Sequence, residues 1–144
     1  MSDSTTASTQ LDGKCLCGAI TVTATVKAPS VGACHCRMCR RWGGGPLMTL
    51  DSPSNVAFSD EANVGNFVSS DWAERGFCKQ CGTHLYYRLR QNEQYYLPAG
   101  LFDLGDSVAF EHQVFIDEKP GFYHFGNETK TMTGPEIFAM FGAS

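Results

Sequence analysis

Gly13-Lys14-Cys15-Leu16-Cys17-Gly18 near the start of the chain and Gly76-Phe77-Cys78-Lys79-Gln80-Cys81-Gly82 past its middle decide the fold, because each is a close thiol pair followed by glycine. Thiols one or two residues apart on a tight turn point the same way and can converge on one ion. Two such pairs make a closed tetrahedral set of four thiolates, the arrangement of structural zinc. Joining them ties together residues far apart in sequence. The entropic cost of closing such a loop grows only slowly with its length, so metal binding offsets it readily. Gly18 and Gly82 would relieve the backbone where amides approach sulfur. Buried free cysteines that pack as small hydrophobes are the plainer alternative. Iron–sulfur ligation also uses four cysteines, but turns of this kind just before strands favour zinc. His84, three residues past Cys81, is an alternative donor to one of the thiolates.

Between the pairs lies Cys34-His35-Cys36-Arg37-Met38-Cys39-Arg40-Arg41-Trp42. Of seven cysteines, four are taken by the pairs and Cys34, Cys36 and Cys39 remain. Three protein donors leave the fourth position of a zinc ion to water or substrate, which is the pattern of catalytic zinc. The count therefore predicts two zinc ions per chain with different roles. A second structural site completed by His35, His84 or a more distant side chain is the alternative. A zinc ion at the triplet would bind an incoming thiol and favour its thiolate. Arg40 and Arg41 directly follow the triplet. They are candidates for gripping a carboxylate of an anionic thiol substrate, or else a solvated face that offsets thiolate charge. His35, His84, His112 and His124 are candidate general acids or bases, although a lone histidine is more often a hydrogen-bonded structural residue.

At 144 residues the chain fits one domain with a genuine core. Residues 1–10 are mostly Ser and Thr and read as a disordered arm, leaving residues 11–144 as a single zinc-binding domain. The arm has no apolar run and does not read as a secretory signal, and no stretch approaches the ~20 apolar residues of a membrane span. A reducing cytosol follows as the expected compartment, and the odd cysteine count agrees with metal ligation over disulfides. The formal net charge of −4 argues against a nucleic-acid partner, which calls for an excess of Lys and Arg.

Residues Ala19 to Lys27 alternate, with Ile20, Val22, Ala24 and Val26 on one face and Thr21, Thr23, Thr25 and Lys27 on the other. That is a half-buried strand rich in β-branched residues. Further short strands are predicted at Leu47–Leu50, Val56–Phe58, Asn66–Ser69, Leu85–Leu89, Gln94–Leu97 and Gln113–Ile116. Turn residues such as Gly43-Gly44-Gly45-Pro46 and Lys119-Pro120-Gly121 separate them. Many short strands at close spacing indicate a mainly β, antiparallel architecture. One helix is predicted, at the C-terminus. Thr133-Gly134-Pro135-Glu136 fits a capping box, and Ile137, Phe138, Met140 and Phe141 supply an apolar face.

The ordered set of three clusters resembles the glutathione-dependent formaldehyde-activating enzyme (GFA) family, whose domain is shared with centromere protein V. The matching text is Gly13 to Ile20, Cys34 to Arg41, Gly76 to Thr83 and, more weakly, Glu111-His112-Gln113-Val114-Phe115, so that coverage runs from about residue 11 to about residue 125. The resemblance implies an Mss4-like fold of several coiled antiparallel sheets. It implies a structural zinc on Cys15, Cys17, Cys78 and Cys81 and a catalytic zinc on Cys34, Cys36 and Cys39. The implied activity is carbon–sulfur lyase chemistry, formally in reverse, joining glutathione and formaldehyde into S-hydroxymethylglutathione. Members often carry a Trp shortly after the His-containing strand, where this chain reads Pro120-Gly121-Phe122-Tyr123-His124. A non-catalytic binding module with both metals structural is the competing reading, because a fold alone does not fix a function.

Overall fold

The computed structural model of the protein describes residues 8–51, 53–106 and 108–141. Its strands are β1 (Thr9–Lys14), β2 (Thr21–Val26), β3 (Ser30–Cys34), β4 (Leu47–Leu50), β5 (Ser54–Phe58), β6 (Val64–Val68), β7 (Ala73–Cys78), β8 (His84–Leu89), β9 (Tyr95–Pro98), β10 (Ala109–Val114) and β11 (Lys130–Met132). Two short helices accompany them, α1 (Arg37–Gly43) and α2 (Gly134–Phe141). A three-stranded sheet has the order β1-β2-β5, and an eight-stranded sheet has the order β11-β10-β3-β4-β9-β8-β7-β6. The mainly β class and the C-terminal helix therefore stand as the sequence indicated.

Several local expectations are corrected. Pairing is antiparallel except at one edge, where β10 runs parallel to both β3 and β11. Thr9 and Gln10, expected within a disordered arm of residues 1–10, instead pair with Val26 and Thr25 in β1. Residues 1–7 lie outside the described residues. The strand expected at Gln113–Ile116 is displaced toward the N-terminus: β10 ends at Val114, where Phe115 turns into the left-handed region at φ 54° and Ile116 starts a 3₁₀ turn. Strands β1, β3, β7 and β11 and helix α1 have no counterpart in the sequence expectations.

The alternation of β2 sets the core. Val22, Ala24 and Val26 are buried, and Ile20, just before the strand, is fully so. Ile20, Val22 and Ala24 pack with Leu50, Leu85, Leu97, Leu101 and Phe102, and Cys15 and Cys78 belong to the same cluster. The two sheets meet where Gly13 bridges Phe102. A side chain at Gly13 would have its Cβ 2.5 Å from the Leu101 carbonyl oxygen, so only glycine permits this approach. The capping box of α2 forms in both directions: Glu136 N donates to Thr133 Oγ1 at 3.3 Å, and Thr133 N donates to Glu136 Oε1 at 2.7 Å. Phe138 packs edge-on against Trp72 and Phe115, whereas Met140, expected on the same apolar face, is exposed. Among the described residues no helix is long and apolar enough to cross a membrane.

Candidate functional site

The two thiol pairs are built alike. Cys15 N donates to the Ile20 carbonyl and Gly18 N to the Cys15 carbonyl; Cys78 N donates to the Thr83 carbonyl and Gly82 N to the Cys78 carbonyl. Gly18 and Gly82 lie at φ 81° and φ 80°, a conformation costly for residues with a side chain. The paired turns bring Cys15, Cys17, Cys78 and Cys81 together with their sulfurs all within 4.8 Å. Sulfurs about 2.3 Å from a tetrahedral zinc lie ~3.8 Å from one another. Cys15 and Cys17 Sγ are 3.6 Å apart and Cys17 and Cys78 Sγ 3.8 Å, so these two separations match the spacing of such a site. These separations are far beyond a disulfide bond, and all seven cysteines are free thiols. Ile20 N donates to Cys15 Sγ at 3.3 Å, and the Thr83 hydroxyl, 3.1 Å from Cys81 Sγ, helps bring that thiol down to about 5.

The triplet sits where β3 passes into α1. Cys34 ends the strand, Cys36 caps the helix and Cys39 lies in its first turn. Cys39 N donates to Cys36 Sγ at 3.3 Å, so one sulfur serves as both N-cap and candidate ligand. The three sulfurs lie within 4.8 Å of one another, and no fourth His, Cys, Asp or Glu joins them among the described residues. Interaction with the neighbouring Cys34 thiol drives Cys36 down to about 2, and the same interaction pushes Cys34 up. Cys39 and Cys36 are buried and Cys34 is half-buried.

The histidines separate by environment. His35 is fully buried, with Nε2 2.8 Å from Gln113 Oε1 and Nδ1 2.8 Å from the Tyr123 hydroxyl. Gln113 spends its amide nitrogen on Thr129 Oγ1 at 2.8 Å, so its oxygen accepts from His35 Nε2–H. Burial lowers the pKa of His35, and the neutral ring then accepts at Nδ1 from Tyr123 O–H. Both ring nitrogens are thus engaged away from the triplet. His84 stacks on Trp42 with ring centroids 3.6 Å apart. His112 Nδ1 lies 3.3 Å from Asp51 Oδ2, and with Glu111 these residues form a third group of clustered potential ligands. His124 belongs to none of these groups.

Arg40 and Arg41 are brought together on α1. With Arg37, Gly44, Gly45, Phe122 and Tyr123 they line a surface cavity of ≈ 230 Å³. Arg40 Nε donates to the His35 carbonyl at 2.9 Å, which holds that side chain against the β3–α1 junction. One residue at the triplet escaped the sequence reading. Arg75 on β7 is 2% exposed and places both Nη atoms 3.7 Å from Cys39 Sγ. Its guanidinium carbon lies 5.0 Å from the Trp42 ring centroid and 4.8 Å from that of Tyr87. The available signal was the strand period: along β7, Arg75 shares a face with the buried Ala73.

The model of the family described as glutathione-dependent formaldehyde-activating enzyme matches residues 10–118 of this sequence. The chain belongs to this family. A protein of Schizosaccharomyces pombe named as an uncharacterized lyase is 39% identical over 129 residues, covering 89% of this chain and 94% of that one. A Rhodobacter sphaeroides protein of known crystal structure aligns with a TM-score of 0.54 at 20% identity, covering 69% of this chain and 99% of the other. That likeness concerns the fold. Membership in the GFA family agrees with the resemblance read from the cysteine clusters.

Proposed function

We propose that this GFA-family chain is a carbon–sulfur lyase-type enzyme that joins a small anionic thiol of the glutathione class to an aldehyde, or runs the reverse cleavage. The observation that carries this reading is the three-sulfur set of Cys34, Cys36 and Cys39, which no fourth protein donor completes among the described residues. Cys15, Cys17, Cys78 and Cys81 would hold a structural zinc, and the triplet would hold a second. Zinc with three protein donors would supply one further coordination position, at which a thiol is favoured as its nucleophilic thiolate. Involvement of His35 in a separate hydrogen-bond network supports this reading over a binding module with two closed sites.

The surrounding side chains would bind and orient the substrate. Arg40 and Arg41 would take its carboxylates in the cavity they line with Arg37. Tyr123 lines the same cavity; burial raises its pKa, and its hydroxyl is aimed by His35. In the synthetic direction the thiol sulfur bonds to the carbonyl carbon, the thiol gives up its proton, and the carbonyl oxygen gains one.

Isothermal titration tests this reading. Glutathione should bind, and its S-methyl derivative, which has no thiol proton to lose, should bind far less tightly. Replacing Arg40 or Arg41 with Ala should weaken glutathione by about 1.5–3 kcal/mol while leaving a small neutral thiol little changed. Equal affinity for glutathione and S-methylglutathione would overturn thiolate binding at the triplet.

A further inference from the structure

A guanidinium keeps its charge throughout the physiological range, and burying a charge without a counter-charge is expensive. Arg75 is nonetheless almost fully enclosed. Among the described residues no carboxylate forms an ion pair with it. Its Nε donates to Ser69 Oγ at 3.1 Å, and its two Nη atoms both address one sulfur, that of Cys39. The aromatic faces of Trp42 and Tyr87 hold the guanidinium group there. Tyr87 is its cross-strand partner in the β7–β8 register, so the sheet itself fixes this placement. The arrangement makes sense when the partner of Arg75 is negative, which means thiolate at the triplet.

From this we infer that Arg75 is the counter-charge of the three-cysteine centre and the residue that lets it accept an anionic thiol as a further ligand. The inference rests on the reading of the triplet as a metal centre. Three thiolates already exceed the charge of a divalent ion by one, and a fourth doubles the excess. A fixed cation beside Cys39 removes part of that penalty, and it discriminates in favour of an anionic ligand over a neutral one. Arg75 touches a ligand residue and no reacting atom, so its role is electrostatic positioning. The cavity arginines Arg37, Arg40 and Arg41 would engage the far end of the substrate, whereas Arg75 acts on its sulfur through Cys39.

The experiment loads the full chain with cobalt(II), whose thiolate charge-transfer bands strengthen with each bound thiolate, and titrates glutathione and, separately, neutral imidazole. Arg75→Lys keeps the charge, and Arg75→Gln keeps hydrogen-bond donors without it. Metal content and melting curves establish that each variant folds. Arg75→Gln should bind glutathione at least about tenfold more weakly and imidazole as the wild type does, and Arg75→Lys should recover most of the loss. Unchanged glutathione affinity in Arg75→Gln, or equal losses for glutathione and imidazole, would overturn the inference. If Arg75→Gln fails to fold, Arg75→Lys decides: a folded Arg75→Lys protein that has lost glutathione shows that charge is not what matters. Wild-type protein that takes up two cobalt ions but responds to no thiol counts against the thiol reading itself and removes this inference with it.

Discussion

Individual side chains divide into those whose task is visible in the text of the chain and those whose task depends on what folds against them. His84 is of the second kind. Burial is the main cause of its lowered pKa, with Arg75 adding repulsion, and its ring lies flat on Trp42. A histidine with a lowered folded-state pKa binds fewer protons in the native protein than in the unfolded chain just below the ordinary value near 6.5. Its contribution is full above that pH and is lost as pH falls. His84→Phe keeps a stacking ring and removes the titration. Melting temperatures taken between about pH 7.5 and 5.5 should fall more steeply for the wild type than for this variant, and parallel curves would contradict the assignment. The two cysteine sets were legible from spacing alone, because thiols one or two residues apart on a tight turn are brought together by that turn. Arg75, His84 and Tyr123 were not legible, since each acquires its partner from a strand or loop distant in sequence: Arg75 and Cys39 are 36 residues apart, and His35 and Tyr123 are 88 apart.

Elements show the same division. Strands β2 and β8 were readable because their alternation or their β-branched and aromatic content exceeds local noise, and β4 because a short apolar run follows the turn Gly43-Gly44-Gly45-Pro46. Strand β3 was hidden because it is buried almost throughout and built of small residues, so no alternation marks it. Helix α1 is under two turns and is capped by the sulfur of Cys36, in place of the oxygen side chains that usually announce a helix start. Strand β7 was obscured by Arg75 and Gly76, residues a strand reading discounts, yet both are buried and required. A Cβ at Gly76 would lie 2.0 Å from the ring of Tyr86 across the β7–β8 pair. Gly76→Ala should therefore destabilise the protein by about 1–3 kcal/mol in urea unfolding. Gly126→Ala, where nothing lies within 4 Å, should stay within about 0.5 kcal/mol of the wild type. Equal midpoints for the two variants would show that the sheet absorbs the added methyl freely.

At the scale of the molecule, the two thiol sets differ in what they connect. Cys17 and Cys78 meet across 61 residues, so the four-sulfur set joins the first turn of the domain to the end of β7. The triplet lies within one strand-to-helix junction and closes no comparable loop. Two zinc ions should consequently leave separately under graded chelation, the first with the fold retained and the second with unfolding. The mutational form of this prediction pairs Cys36→Ser, which should keep most of its melting temperature while losing thiol binding, with Cys81→Ser, which should lose folding or much of its melting temperature. Release of both metals in one step with unfolding, or coincident melting curves for the two variants, would remove the division of roles.

The compactness of that junction also bears on how such a protein can change over generations. Because Cys34, Cys36 and Cys39 fall inside six consecutive residues, a gene copy can erase the whole set by changes to one short stretch of its reading frame. Cys15 and Cys17 lie far in sequence from Cys78 and Cys81, so on the proposed roles damage to either pair would remove the clasp between them. Drift in a duplicated gene therefore meets little resistance at the first set and strong resistance at the second. On the proposed division of roles, the architecture lets chemistry be discarded while shape is inherited.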